Sequence, residues 1–275
     1  MHDTTPRWDP GQYLRHAGHR TRPFLELLAR IPDPAGAAGA APRVADLGCG
    51  AGNVTALLAD RWPDARITGY DLSEEMLDRA RRDHAGPTPG GGSLDFHPAD
   101  LADWRPDEPY DVIVSNAAFQ WLPGHADSFA AWTRTLRPGG AFAFQVPGNF
   151  SAPSHRLLAD LCNGPRWRGR LAGYGERAAA VLEPAGYLER LGALGLTADV
   201  WETTYQQLLT GPDAVLDWVK GTALRPVLTA LAGDPEAADA FLAEYRGLLR
   251  EAYPAGPHGT VFPFRRIFAV AAKEA

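Results

Sequence analysis

VADLGCGAGNVTALLADRWP, residues 44–63, opens with an apolar pair, sets an aspartate at Asp46, and then places Gly48, Gly50 and Gly52 at alternate positions. A glycine-rich turn between a strand and a helix lets a ligand approach the backbone and meet the helix N-terminus. The dinucleotide pattern G-x-G-x-x-G is not met, because the residue where its third glycine belongs is Asn53. Asp46 is the second departure. A carboxylate two residues before the first glycine repels a pyrophosphate and suits a ligand that carries an ammonium group.

Outward from this stretch, strand-like and helix-like segments alternate from residue 43 to residue 147. RVADL (43–47) is a short apolar run, and NVTALLADRW carries Val54, Leu57, Leu58 and Trp62 at helical spacing. RITGYD (66–71) reads as a second strand, with Ser73 capping the helix that follows. AGPTPGGGS (85–93) reads as a loose surface loop without regular structure. LDFHPAD and YDVIVSN (110–116) give the third and fourth strands, residues 124–136 a helix, LRPGG a turn and AFAFQVPG the fifth strand. Such alternation implies a parallel sheet covered on both faces. In the second half, residues 153–195 read as helices and 198–208 as a long strand. Residues 212–252 are helical with a Gly-Asp-Pro break at 233–235, and TVFPFRRIFAVAAKE closes as a strand. The expected organisation is one domain over 1–275: an N-terminal segment (1–32), a core (43–147), and helical insertions at 151–196 and 211–255.

Further acids lie where the strands should end. Asp71 comes 19 residues after Gly52, where a carboxylate accepts from ribose hydroxyls, with Leu72 beside it. Asp100-Leu101 follows the third strand, where a carboxylate can accept from an adenine amino group, and Asn116 ends the fourth. In an open parallel sheet the ligand lies at these carboxyl ends. An amine, a ribose and an adenine without phosphate describe S-adenosylmethionine. D-L-G-C-G-A-G with its downstream acid resembles the first motif of class I S-adenosylmethionine-dependent methyltransferases, and L-R-P-G-G-A-F their later turn-strand motif. This resemblance implies a Rossmann-like, doubly wound, seven-stranded and mostly parallel α/β sheet.

The 275 residues have a net charge of -6, with 45% hydrophobic and 22% charged residues, an ordinary globular balance. That charge argues against a nucleic-acid or anionic-membrane partner. No apolar run approaches the ~18 residues of a membrane helix. MHDTTPRWDPGQYLRH is too polar for a signal peptide. Cys49 and Cys162 stand in no metal-ligand spacing, and a reduced, cytoplasmic setting is expected. No metal is expected, and oligomeric state is not readable.

Almost the whole chain resembles one family, the trans-aconitate 2-methyltransferases. The likeness rests on W-D-P-x-x-Y-L and R-T-R-P-F (8–24), S-N-A-A-F-Q-W-L (115–122), V-W-E-T-T-Y (200–205), D-W-V-x-x-x-x-L-R-P (217–226) and F-P-F-R-R-I-F-A-V-A (262–271). It implies methylation of one carboxylate of trans-aconitate. A carboxylate, with a reference pKa near 4, is ionised at neutral pH and needs no general base; orientation can contribute roughly 7–11 kcal/mol. His16, His19, His97 and His125 are accordingly read as surface or structural.

A tricarboxylate needs local arginines, whose forks match carboxylates. Arg225, in A-L-R-P, and Arg266, between Phe264 and Phe268 on one strand face, are the candidates; Arg265 points the other way and ranks lower. In related methyltransferases an N-terminal segment covers the cofactor. By that resemblance Tyr13 covers the transfer centre and an arginine, Arg20 or Arg22, meets the methionine carboxylate, unless these arginines simply face solvent. Gln120 and Trp121 follow the fourth strand, where they would position the reactants. Two alternatives stay open: a carboxyl or N-methyltransferase with another small acceptor, and a non-catalytic S-adenosylmethionine-binding regulator. S-N-A-A-F stands where a nucleic-acid methyltransferase carries N-P-P-Y.

Overall fold

The computed structural model describes residues 17–34, 41–106, 108–176 and 181–275. In chain order its elements are α1 (Ala17–Leu28), β1 (Arg43–Leu47), α2 (Thr55–Arg61), β2 (Arg66–Asp71), α3 (Glu74–His84), β3 (Gly86–Pro87), β4 (Ser93–Pro98) and β5 (Tyr110–Asn116). Then come α4 (Phe129–Thr133), β6 (Leu136–Pro147), α5 (Pro153–Asn163), α6 (Arg168–Leu171), α7 (Pro184–Gly192) and β7 (Leu196–Leu209). The chain continues through α8 (Ala214–Lys220), α9 (Arg225–Ala230), α10 (Pro235–Ala252), β8 (Ala255–Gly256) and β9 (Gly259–Lys273). The strands form one sheet in the order β3-β4-β2-β1-β5-β6-β9-β7, with β8 paired to β9. Ladders β1–β2, β1–β5, β2–β4 and β5–β6 are parallel, and β6–β9 is antiparallel. The order reverses at β1, between β2 and β5, which opens the crevice where doubly wound sheets take their ligands.

The seven expected strands become nine because β3 and β8 are two-residue additions. β3 also corrects the reading of residues 85–93 as structureless: Gly86 and Pro87 pair antiparallel with Leu94 and Ser93, extending the sheet edge as a hairpin. A Cβ on Gly92 would lie 2.1 Å from the Ala65 carbonyl oxygen, so this glycine serves packing. LRPGG is likewise part of β6, with a register shift between Tyr110 and Val112 where the strand irregularity falls. Ser73 caps α3 as expected, its side chain accepting from the Met76 amide.

The chain divides into two units. A sheet unit takes Arg20–Pro147, Ala180–Thr203 and Arg266–Ala275; a helical unit includes Gly148–Ala179 and Thr204–Arg265. These bounds differ from the expected insertions, because α7 supplies Tyr187 and Leu191 to the sheet unit's core. That core is aromatic: Phe119, Phe129, Trp132, Phe142, Phe144 and Tyr187 are fully buried, with Phe119 and Trp132 centroids 4.9 Å apart. Each such pair adds about 0.5–1.5 kcal/mol beyond area burial. His125 belongs to this core. Its Nε2 lies 2.8 Å from the Tyr187 hydroxyl, and burial lowers its pKa, a structural role in line with the sequence reading.

The helical unit has its own core around Trp167, Trp218, Phe241, Tyr245 and Phe262. α5 begins without a side-chain cap from Ala152. Instead Tyr253 accepts from the Ser154 amide at 3.0 Å, and Tyr245 donates to the Ser154 carbonyl at 2.7 Å. Tyr253, from later in the chain, thus satisfies one of the open N–H groups of a helix start that local sequence leaves uncapped, and Tyr245 ties the same turn to the core. Among the described residues no helix is long and apolar enough to cross a membrane.

Candidate active site

The glycine loop follows β1 at the reversal of strand order. Gly48 and Cys49 amides both donate to the Tyr70 carbonyl, at 2.7 and 3.0 Å, which folds the loop over the end of β2. All three glycines have positive φ: 79° at Gly48, 55° at Gly50 and 79° at Gly52. Their missing side chains make room for different things. A Cβ on Gly48 would lie 2.2 Å from the Ala118 Cβ, and one on Gly52 would lie 2.8 Å from the Phe96 ring. A Cβ on Gly50 would meet nothing within 4 Å. The missing side chains at Gly48 and Gly52 make room for protein packing, and Gly50 is the one of the three whose Cβ direction faces open space.

Asp71, at the end of β2, holds this loop in shape. One carboxylate oxygen accepts from the Gly50 amide at 2.8 Å and the other from the Ser73 amide at 2.9 Å. Burial raises its pKa, opposed by these amide hydrogen bonds. Each oxygen keeps a lone pair for a further donor. Leu72 beside it is 64% exposed, an apolar face at the strand ends. Asp100 is exposed, and its Oδ1 accepts from the Ala102 amide at 2.9 Å, next to half-buried Leu101.

Asp46 lies deeper than a direct ligand contact would suggest. It is fully buried, its Oδ2 accepts from the Thr55 hydroxyl at 2.7 Å, and among the described residues its Oδ1 has no partner. Burial pushes its pKa up to about 7; Thr55 opposes the shift and the Asp71 charge adds to it. A buried carboxylate oxygen without a partner is a group whose charge a cationic donor would match. A ligand with an ammonium group fits these residues.

The turn after β5 closes the same end of the sheet. Ser115 donates to the Leu47 carbonyl at 2.7 Å, and Ala118 fills the space left by Gly48. Ala117 between them has φ 55°, the one left-handed non-glycine among the described residues, at a cost of roughly 1–3 kcal/mol. Its amide donates to the Gln145 carbonyl at 2.9 Å, and its carbonyl accepts from the Gln120 side chain, which together hold the strained conformation. Gln120 is buried beneath this turn and Trp121 is half-buried at its end. Asn116, 8% exposed, accepts through Oδ1 from Gln145 Nε2 at 2.6 Å.

The remaining expected site residues are more scattered. Arg266 is 4% exposed and donates through Nη1 to Gln145 Oε1 at 3.0 Å, so this nitrogen is committed inside the sheet unit. Phe268 stacks on Trp201 there, with centroids 4.9 Å apart. Arg225 is half-buried at the first position of α9, in the helical unit. Arg22 is exposed on α1, where its Nε donates to Glu26 one turn on at 2.8 Å. Tyr13 lies outside the described residues, as does the first half of the expected N-terminal lid (1–32), and the Arg20 side chain is likewise not described. The sequence reading missed Thr55 and Gln145. Gln145 had a signal, as the one polar side chain in the apolar run AFAFQV.

The sheet order and the glycine loop at its reversal define a class I S-adenosylmethionine-dependent methyltransferase. Residues 44–140 match the family described as Methyltransferase domain. The fold is shared with the YcgJ protein of Bacillus subtilis (TM-score 0.52, 16% identity, 94% of this chain and 99% of that one). It is also shared with Haemonchus contortus phosphoethanolamine N-methyltransferase 2 in complex with S-adenosyl-L-methionine (TM-score 0.52, 18% identity, 92% of this chain and 53% of that one). Trans-aconitate 2-methyltransferase of Streptomyces coelicolor is 67% identical over 274 residues, 99% of this chain and 89% of that one. The enzymes of the same name from Streptomyces avermitilis (62% identical, 100% of both chains) and Rhodococcus jostii (48%, 96% and 98%) follow. The chain belongs to the trans-aconitate 2-methyltransferase family.

Proposed function

We propose that this enzyme transfers a methyl group from S-adenosylmethionine to one carboxylate of trans-aconitate, giving the monomethyl ester and S-adenosylhomocysteine. The observation that carries this is the 67% identity, across 99% of the chain, with a relative of that name. The bound cofactor would supply a methyl group already activated by its sulfonium charge. The chain's residues then have to hold, orient and exclude water. Asp46 and the open backbone at Gly50 would take the methionine end, Asp71 the ribose, and Leu72, Asp100 and Leu101 the adenine. A carboxylate acceptor is ionised at neutral pH and asks no residue for proton removal. Arg225 would match one of the acceptor's other carboxylates, and Gln120, Trp121 and Tyr13 would set its approach. The setting is cytoplasmic, consistent with two free, buried cysteines.

The test is methyl transfer across a panel of tricarboxylates and monocarboxylates, with the ester identified by mass spectrometry and Arg225→Ala run beside wild type. Turnover on trans-aconitate, with Arg225→Ala raising KM about tenfold or more and leaving cofactor affinity within threefold, is the expected result. Cofactor binding with no turnover on any tricarboxylate would overturn the named substrate.

A further inference from the structure

Asn116, Gln145 and Arg266 are 8, 1 and 4% exposed, and they lie on adjacent strands of the sheet unit. Asn116 sits directly opposite Gln145 in the parallel β5–β6 ladder, and Arg266 opposite Pro147 in the antiparallel β6–β9 ladder. Gln145 and Pro147 share a face of β6, so all three side chains project to one side. We infer that the three form a one-way chain of hydrogen bonds that makes Asn116 offer N–H, and not C=O, at the crevice, and that this donor selects an anionic oxygen acceptor over an amine.

The direction follows from the chemistry of the far end. A guanidinium has donors only. The Gln145 atom 3.0 Å from Arg266 Nη1 must therefore be its oxygen, which turns its NH2 toward Asn116. The Asn116 atom 2.6 Å from that NH2 must in turn be its oxygen. The Asn116 Nδ2 is left over, and among the described residues it bonds to no protein group. Reversing Asn116 alone would set two NH2 groups face to face in a buried place, which the chain resists.

Asn116 ends β5, the strand beside the reversal of strand order. Ser115 is bonded to the end of β1, and Ala118 fills the gap at Gly48, so Asn116 lies between two residues that touch the glycine loop's base. An amide can serve an amine by accepting from it or a carboxylate by donating to it; here only the second remains. Arg266 thereby becomes a positioning residue that acts through Gln145, which explains an arginine buried among aromatics without requiring its direct contact with the acceptor. This rests on the carboxylate acceptor proposed above.

The experiment uses the full-length enzyme and the variants Asn116→Asp, Gln145→Glu, Asn116→Ala and Asn116→Ala/Gln145→Glu, with S-adenosylhomocysteine affinity and Tm measured for each. Asn116→Asp still accepts from Gln145 but has no N–H to offer. Gln145→Glu still accepts from Arg266 but turns Asn116 around. Both are expected to raise KM for trans-aconitate at least tenfold, with S-adenosylhomocysteine affinity within threefold of wild type. In the double variant, Gln145→Glu should add less than twofold to Asn116→Ala, because it acts through that side chain. Asn116→Asp within twofold of wild-type KM, or a loss of S-adenosylhomocysteine affinity as large as the rise in KM, would overturn the proposal. Multiplying effects in the double variant would do the same.

Should Gln145→Glu not fold, Asn116→Asp decides alone. Wild type inert toward every tricarboxylate overturns the substrate reading and the anion selection with it. The direction of the chain is read independently, without any acceptor, from 15N side-chain amides. The Gln145 amide protons should exchange slowly in wild type and in Asn116→Asp, and fast in Asn116→Leu; slow exchange in Asn116→Leu overturns that direction.

Discussion

The glycine loop and the helical unit handle charge in opposite ways. At the loop, Asp46 is buried with an unused oxygen and Asp71 is bonded only to backbone amides among the contacts described, so negative charge waits for a ligand. In the helical unit, acids and bases are matched within the unit. Arg246 and Arg250 converge on Asp213 at 3.0 and 2.9 Å, Arg170 meets Asp234 at 2.9 Å, and Arg166 meets Glu244. Pairs of this exposed kind contribute about 0–1 kcal/mol each. The lesson is that charge count says little about where a ligand binds; incompletely matched charge in a buried place says more.

The largest effect should come from the loop's packing glycines. Gly48→Ala would place a Cβ 2.2 Å from the Ala118 Cβ at φ 79°. Left-handed strain of about 1–2 kcal/mol and overpacking of about 1–3 kcal/mol predict a loss of ~2–5 kcal/mol in chemical denaturation. Adding Ala118→Gly should recover the overpacking part. Gly50→Ala, with φ 55° and open space around it, should lose only the strain of about 1–2 kcal/mol while cofactor affinity falls at least tenfold. Equal stability losses in the two variants would erase the distinction between packing glycine and ligand-facing glycine.

How far this was legible in the sequence follows the range of the interactions. The loop's glycines, Asp46 and Asp71 are set by backbone conformation and short spacing, so their places could be read directly. Arg266 was visible as an arginine between aromatics, but its partner Gln145 lies 121 residues away and depends on the β6–β9 register. Nothing local encodes that register. Residues 85–93 were read as a loop because glycine and proline dominate them, whereas Gly90 and Gly92 there make room for the Pro63–Ala65 backbone. α7 was assigned to an insertion because composition cannot tell which core receives its Tyr187 and Leu191.

Asp46→Asn comes next in size. Removing the charge should weaken S-adenosylhomocysteine binding by about 1.5–3 kcal/mol, the range for a hydrogen bond to a charged group, read by calorimetry. The pH dependence sharpens the point. The folded pKa of about 7 lies above the ordinary 3.8, so the unfolded chain ionises first. The stability of the cofactor-free protein should therefore fall as pH rises from about 4 to about 7 and level off above. Asp46→Asn should lack this slope, and the remaining Asp71 contribution, of the same sign, is common to both proteins. Binding of a ligand with an ammonium group near pH 7 should release protons in wild type and fewer in the variant, measured in buffers of different ionisation enthalpy.

On the helical side, Tyr245→Phe removes the buried hydrogen bond to the Ser154 carbonyl. About 0.5–1.5 kcal/mol of stability should be lost, with a fall in Tm of roughly 2–4 °C per kcal/mol at this chain length. S-adenosylhomocysteine affinity should stay within twofold. A tenfold loss of affinity would mean that helix packing in this unit governs the cofactor site, contrary to the contrast drawn above.

The smallest effect separates two roles for one arginine. Arg22 could meet the cofactor's carboxylate or serve its own helix, and its side chain, 70% exposed, is bonded to Glu26 at the i,i+4 spacing. Such a pair on a helix surface stabilises by about 0.3–0.5 kcal/mol. Arg22→Ala should therefore cost no more than that in stability. With the Arg22 side chain exposed and paired to its own helix, cofactor affinity should change less than threefold, and raising the salt concentration should shrink the stability difference further. A tenfold loss of S-adenosylmethionine affinity, without the same loss in Glu26→Ala, would restore the cofactor role and show that the helix pair yields to the ligand. Equal losses in both variants would mean instead that the pair orients the helix.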